Sequence, residues 1–439
     1  MRMTASEVAF AAHGTLTGPD VEANGISFDS RSLVVGQAFV AVGAERDGHE
    51  FCQDAISRGA SFLLVNHGKQ IDGVTCVEVD NTLDALALIG TYLRQKLSAQ
   101  LQNRVVGITG SVGKTSTKDL VLAVLSGGFT QVHGPEKSMN NDIGVPITIA
   151  NAPDGCDALV LEMGMRGFGE ISRLCAIGQP IIGVITEIGD AHSSRVGGIE
   201  GVVRAKAELV RSLPANGIAI VNADSVNAMR TVIGIEARVV TFGSQEGADV
   251  IWSVHSVDES GRHLADFRYG AEQESGLVPL PGVHMVSNAA AAIAVGIQCG
   301  MTLQDAVHAM TTVVVSPQRM QWVANKAGLR ILDDSYNANS LSVNAALRTL
   351  AQVEATSRFA VLGQMAEVDD EVNAHVSVAA TCRDLGVEIL PLETDLYGIS
   401  AMSVTEVVER VSNAGSNSVV LVKGSRVSAT ERVVLALMA

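Results

Sequence analysis

The segment Gly107-Ile108-Thr109-Gly110-Ser111-Val112-Gly113-Lys114-Thr115-Ser116 constrains this chain more than any other. Val105–Thr109 reads as a buried strand. Lys114–Leu125 reads as a helix whose apolar Leu120, Val121, Val124 and Leu125 share one face. A glycine turn between a strand and a helix lets backbone N–H groups wrap a phosphate at the helix N-terminus. Lys114 can neutralise phosphate charge, and the Thr115 hydroxyl can ligate Mg²⁺. Gly110, Gly113, Lys114, Thr115 and Ser116 are therefore the candidate nucleotide contacts. The leading glycine, Gly107, stands one residue earlier than in G-x-x-x-x-G-K-[ST], with Ile108 in its usual place. A plain glycine turn before a surface lysine is the bland alternative, and the strand–loop–helix context argues against it.

The rest of the chain repeats that alternation. Ala158–Glu162, Ile181–Thr186 and Gly217–Asn222 are strand candidates separated by helical stretches, which predicts a parallel, doubly wound sheet. Residues 246–280 are more polar and alternating and suggest an antiparallel excursion before a small-residue helix over Val286–Ile297. Past Ser316-Pro317 a further alternating series (Arg330–Leu332, Phe359–Leu362, Val387–Leu390, Val419–Val422) predicts a smaller Rossmann-like unit. Residues before 100 mix short apolar runs with turns and close on an amphipathic helix over Leu83–Leu97. The expected fold class is α/β in three domains: a small N-terminal α/β domain (1–100), a central P-loop parallel-sheet ATPase domain (101–315) and a C-terminal Rossmann-like domain (316–439). A chain of 439 residues exceeds one ordinary core.

Composition narrows the partners. The formal charge of −16, from 31 basic and 47 acidic residues, disfavours nucleic acid and anionic membranes. No apolar run approaches the roughly 18 residues of a membrane span, and the N-terminus, with Glu7 and His13, lacks a signal layout, so a cytoplasmic protein is expected. The six cysteines never approach CxxC spacing, which predicts reduced, mostly buried thiols rather than a zinc ribbon.

Other polar clusters fall where strands end. Glu162 closes an apolar strand, and His192 follows the next in Glu187-Ile-Gly-Asp190-Ala-His192. Carboxylate and neutral imidazole can together hold a second divalent ion, although a lone loop histidine is commonly without a role. Asn140 and Asn141 can orient phosphate or water, although asparagine clusters are usually turn formers. By spacing alone, Lys206 would be a solvated helix lysine. Asp333-Asp334-Ser335-Tyr336-Asn337-Ala338-Asn339 follows a strand and suits ribose hydroxyls and metal-bound water. Lys423-Gly424-Ser425-Arg426 is a second cationic loop suited to carboxylate or phosphate.

Taken in order, the glycine–lysine loop, Asn-Asn-Asp-Ile-Gly-Val-Pro, Leu-Glu-Met-Gly, Gly-Asp-Ala-His, Arg-Ala-Lys-Ala-Glu, Asp-Asp-Ser-Tyr-Asn-Ala-Asn, Val-Leu-Gly-Gln-Met-Ala-Glu and Val-Leu-Val-Lys-Gly-Ser-Arg resemble the Mur ligases. The likeness is greatest for members that add D-alanyl-D-alanine to a UDP-N-acetylmuramoyl tripeptide. It spans the chain and is strongest at 104–210 and 281–426. The resemblance implies ATP and Mg²⁺ as cofactors, with Lys114, Lys206, His192 and Arg319 in catalysis and Thr115, Glu162, His192 and Lys206 around metal, Lys206 as a carbamate. It implies Asn288 at adenine and Asp334 and Arg319 near ribose and γ-phosphate. Ser30, Arg31, Asp47 and His49 would meet the UDP-sugar, and Tyr336, Asn337, Asn339, Lys423 and Arg426 the other substrates. A monomer without membrane insertion is expected. Met285 and Ser340 depart from residues common in the family (Asn and Pro), which implies altered nucleotide affinity before lost activity.

The implied chemistry is phosphoryl transfer to a carboxylate, then acyl transfer to an amine. Rivals are a related ligase adding a single amino acid and a P-loop switch that hydrolyses ATP to change shape. A Rossmann oxidoreductase is disfavoured, because the first glycine turn carries Gly-Lys-Thr.

Overall fold

The computed structural model describes residues 1–43, 46–189, 193–326, 328–366, 368, 370–415 and 417–439. Among them, sheets of five, nine and five strands follow one another along the chain, with a two-stranded ribbon at the start. In the first, Ile26–Ser27, Ala38–Val40, Leu63–Asn66 and Cys76–Val79 run parallel, and Thr15–Thr17 pairs antiparallel at the edge. Helix Thr82–Lys96 begins where the Asn81 side chain accepts from the N–H groups of Leu83 and Asp84. Its buried face packs on helices Gly144–Ala150 and Glu170–Gly178. Asn151 adds a two-way link, accepting from Ile26 N at 3.0 Å and donating to Ile26 O at 2.8 Å.

Val105–Thr109 lies inside the nine-stranded sheet between Ala158–Glu162 and Ile182–Ile185, all parallel. Every residue of these three strands is buried, which is why they read as unbroken apolar runs. The register sets Glu162 opposite Ile108, so that carboxylate emerges beside the start of the glycine loop. Ile218–Asn222, Arg238–Gly243 and Val250–Val257 extend the parallel run. Arg262–Tyr269 and Glu272–Pro281 then add antiparallel hairpin pairs. The central sheet is thus mixed rather than wholly parallel. The hairpin strands alternate buried and exposed positions because one face meets solvent.

Helix Val283–Gln298 returns under the sheet and packs on helix Lys114–Gly128, its small residues allowing close approach. The C-terminal sheet runs Gln321–Ala324, Arg330–Asp333, Ser418–Lys423, Ser357–Leu362, Glu388–Pro391, parallel except for its first strand. One buried cluster joins Ile108, Leu120 and Ile293 to Leu332, Leu350 and Leu421, so the core continues from the central into the C-terminal sheet. All six cysteines are unbonded, and burial pushes the thiols of Cys175, Cys299 and Cys382 up to about 12, out of reach of easy ionisation. No helix of the described residues is long and apolar enough to cross a membrane.

Candidate functional site

A cleft of about 890 Å³ opens at the C-terminal ends of the central strands and is roofed by the C-terminal unit. Its floor is the glycine loop. Helix Lys114–Gly128 starts at Gly113 with no side-chain cap, so its first N–H groups face the cleft as a ready anion site. Gly113 adopts φ 85°, and a Cβ there would sit 2.8 Å from Asn288 Oδ1. At Gly110 a Cβ would stand 2.0 Å from Thr186 Oγ1. The loop is held from behind: Thr186 Oγ1 donates to Val112 O at 2.6 Å, and Ser111 N to Glu187 O at 2.7 Å. Lys114 Nζ curls back onto Gly110 O at 2.7 Å.

Beside it lies an oxygen cluster. Thr115 Oγ1 donates to Glu162 Oε2 at 3.0 Å and meets Ser138 Oγ at 3.1 Å. Asn140 Nδ2 donates to Glu162 Oε1 at 2.8 Å, and Arg319 Nη2 reaches Thr115 Oγ1 at 3.2 Å. Glu162 is 1% exposed, so its charge relies on these donors and on any cation that joins them. Among the described residues no three His, Cys, Asp or Glu side chains converge as a ready-made metal cage. A hydroxyl and one carboxylate nonetheless fit Mg²⁺, which takes hard oxygens and commonly completes its shell with waters and ligand phosphates. Lys206 is buried in the cleft wall on helix Ile199–Arg211. His192, expected at this metal site, lies outside the described residues.

The roof carries the second cationic group. Tyr336 holds the Arg319 guanidinium 4.0 Å from its ring centroid and that of Arg426 at 5.9 Å. Lys423 Nζ pairs with Asp334 Oδ2 at 2.5 Å and donates to Asn337 O at 2.8 Å, while Asp334 Oδ1 accepts from Met320 N at 3.2 Å. Lys423 is buried, and burial lowers its pKa against the opposing pull of Asp334. Asn339 caps helix Ser340–Gln352, its side chain accepting from Ser342 N at 2.9 Å. Asn141 does a similar job for the turn into helix Gly144–Ala150, accepting from Gly144 N at 2.9 Å.

The four N-terminal candidates do not line this cleft. Arg31 forms a two-bond pair with Asp29 (2.9 and 2.7 Å). His49 bridges Asp47 Oδ1 (2.5 Å) and Asn66 N (3.0 Å), so both ring nitrogens are engaged and its Nδ1 carries the proton. Ser30 is buried beneath that surface.

Sequence reasoning missed the far end of the cleft, lined by Asn222, Asp224, Phe242 and Trp252 beside Met285 and Asn288. Asn288 Nδ2 here points at Met285 Sδ, 3.5 Å away. A polar pair closing one strand (Asn222, Asp224) was the available signal, at the same sheet edge as Glu162. Nearby His284 Nδ1 finds no hydrogen-bond partner among the described residues. Burial pushes the half-buried His284 ring down to about 4. An unfolded His takes its proton near 6.5, so between those values the unfolded chain binds more protons and stability falls as pH drops. Down to pH 4.5 the loss is at most about 2.7 kcal/mol. Melting temperatures from pH 7.5 to 4.5 should fall less steeply for His284→Gln than for the wild type.

A phosphate-binding loop facing arginines across one cleft between two α/β units defines a nucleotide-binding enzyme of the P-loop class. The profile of the Mur ligase middle domain matches residues 108–296, and that of the Mur ligase, glutamate ligase domain matches 318–426. A UDP-N-acetylmuramoyl-tripeptide–D-alanyl-D-alanine ligase of Mycobacterium tuberculosis is 35% identical, over 92% of this chain and 83% of that protein. The Escherichia coli ligase of the same name is 33% identical, over 99% and 98%. The crystal structure of MurF from Acinetobacter baumannii superposes with TM-score 0.88 at 27% identity, over 100% and 99% of the two chains. MurF from Thermotoga maritima in complex with ADP gives 0.80 at 26%, over 94% and 97%. The chain belongs to the Mur ligase family.

Proposed function

We propose that this enzyme joins the terminal carboxylate of a UDP-N-acetylmuramoyl tripeptide to the amine of D-alanyl-D-alanine, with ATP cleaved to ADP and phosphate, in peptidoglycan precursor synthesis. The observation that carries the reading is Arg319 reaching from the C-terminal side of the cleft to Thr115 on the phosphate loop, 3.2 Å away.

The chemistry follows from charge. A carboxylate approaching a triphosphate meets like charge, so bringing the two together is the difficult step. The N–H groups at the start of helix Lys114–Gly128 hold the phosphates, and Lys114 and Arg319 offset the charge that develops at the transferred phosphoryl group. Glu162 and Thr115, steadied by Asn140 and Ser138, would hold Mg²⁺, which supplies electrostatic stabilisation at the phosphate oxygens when bound. A carboxylate oxygen takes the γ-phosphoryl group as its bond to the β-phosphate oxygen breaks and ADP leaves, giving an acyl phosphate; the dipeptide amine then attacks the carbonyl carbon, gives up a proton and expels phosphate.

We assign Lys206 and His192 to the second metal, Lys206 as a carbamate, and Asn288 to the base. In the C-terminal unit, the Asp334–Lys423 pair shapes the roof while Arg426 and Tyr336 face the incoming dipeptide. The same reading assigns residues 1–100 to the UDP-sugar, through Ser30, Arg31, Asp47 and His49, residues 101–315 to ATP, and 316–439 to closure over both. A cytoplasmic monomer acting on small molecules fits, and sedimentation tests the monomer.

Mass analysis of the product formed from Mg-ATP, UDP-N-acetylmuramoyl tripeptide and D-alanyl-D-alanine tests the assignment. A UDP-linked pentapeptide is expected. A product extended by one residue, formed only when a single amino acid is supplied, would replace this reading with that of a sister ligase.

A further inference from the structure

We infer that Lys118, Asp119 and Ser316 form a buried positioning hub that aligns three chain segments carrying Thr115, Asn140 and Arg319. Lys118, Asp119 and Ser316 are 1%, 5% and 9% exposed. The Lys118 ammonium meets one partner per N–H: Asp119 Oδ1 at 2.7 Å, Pro135 O at 2.9 Å and Ser316 Oγ at 3.2 Å. Asp119 in turn accepts from Ser316 Oγ at 3.0 Å and from Ser316 N at 2.8 Å. Every charge and donor in the group is answered, at a site where water cannot substitute.

Each segment tied here goes on to the oxygen cluster described above. Lys118 and Asp119 stand three and four residues after Thr115, on the same helical face. Pro135 lies three residues before Ser138, which meets Thr115 Oγ1 at 3.1 Å, and five before Asn140, which meets Glu162 at 2.8 Å. Ser316 lies three residues before Arg319, which meets Thr115 Oγ1 at 3.2 Å. The backbone around Arg319 is left-handed at Gln318 (φ 63°) and Met320 (φ 50°), a conformation that persists only where flanking contacts enforce it. The hub is one such contact; Asp334 Oδ1 on Met320 N, Tyr336 N on Gln318 O at 3.3 Å and Gln318 N on Gln321 Oε1 at 3.3 Å are others.

An apolar trio of the same volume would hold a core about as well as a buried ion pair does. What the charged trio adds is direction: each hydrogen bond fixes one segment relative to the other two. A displacement of about 1 Å at reacting groups can lower a rate about 100-fold, so the hub acts on catalysis through Arg319 and Asn140 without touching substrate.

The inference rests on the ligase reading only through the reaction assayed. Ser316→Ala keeps the ion pair and removes both Oγ bonds. With Mg-ATP and both co-substrates it should lower kcat about 10-fold or more, while Mg-ADP affinity stays within about 3-fold of wild type. Ser316→Thr, which keeps the hydroxyl, should recover most of the rate. On an Arg319→Ala background, Ser316→Ala should add less than about 3-fold, because the group it aims is gone. Hydrogen exchange with Mg-ADP bound should rise together at residues 136–141 and 316–321 and not across the chain. Unchanged kcat in Ser316→Ala, fully additive losses with Arg319→Ala, or faster exchange confined to 316–321 would each overturn the hub. If the wild type itself shows no reaction requiring both co-substrates, the ligase reading fails, and the exchange measurement alone decides the hub.

Discussion

Lys114→Ala is expected to lower ATP-dependent phosphate release about 1,000-fold while UDP-sugar binding persists. Lys114 starts the helix whose N–H groups face the cleft, and its Nζ rests on Gly110 O, 2.7 Å away, folded over the loop it would share with phosphate. Removing one preorganised charge at a reacting phosphoryl group costs about 100- to 1,000-fold in comparable sites, and here it also removes the cation nearest the loop backbone. The UDP-sugar candidates at Ser30, Arg31, Asp47 and His49 lie outside this cleft, so a UDP-sugar titration should be unaffected. Loss of both activities with a lowered melting temperature would indicate a folding defect. Full activity would remove Lys114 from the phosphate site.

Glu162→Gln is the second large effect. The carboxylate is buried, opposite Ile108 in register, and gathers Thr115 at 3.0 Å and Asn140 at 2.8 Å. Glutamine keeps the shape but removes the negative charge that a divalent cation needs. We expect kcat to fall at least about 100-fold at low millimolar Mg²⁺, with partial recovery as Mg²⁺ is raised. Melting temperature should change little or rise, because a neutral amide is less costly to bury than a carboxylate. A rate loss that ignores Mg²⁺ concentration would contradict the metal role.

The phosphate end of the site was legible because local rules govern it. Val105–Thr109 and Ala158–Glu162 form as read, end to end, since unbroken apolar runs between turn signals leave a fully buried strand as the economical outcome. The antiparallel excursion was legible from alternation, although its first strand starts at Val250 and joins the same sheet. Arg238–Gly243 was overlooked: its first two residues are exposed, which breaks the apolar run that marks its neighbours. Helix Val283–Gln298 begins earlier than Val286 because it starts at Gly282 without a capping side chain to mark it.

What the sequence concealed is the set of contacts made across long chain separations. Nothing local in the helix Lys114–Gly128 marks Lys118 and Asp119 as buried charges, yet both are buried against Ser316, almost 200 positions on. Lys423 looked like a cation awaiting an anionic substrate and instead pairs with Asp334, a partner visible only once the two strands lie side by side. Asn339 and Asn141, candidates for ligand contact, both line the cleft; Asn339 also caps helix Ser340–Gln352, and Asn141 accepts from Gly144 N in the turn before the next helix, uses that the sequence pattern alone did not separate from ligand contact.

The central claim is that ATP cleavage is coupled to joining a carboxylate and an amine. The most direct measurement is phosphate release from Mg-ATP with UDP-N-acetylmuramoyl tripeptide and D-alanyl-D-alanine together, then with each left out in turn. The account predicts fast release only when both are present, one phosphate for each amide bond formed. Release at the same rate with neither present would contradict it and make the protein a P-loop ATPase whose hydrolysis serves a change of shape.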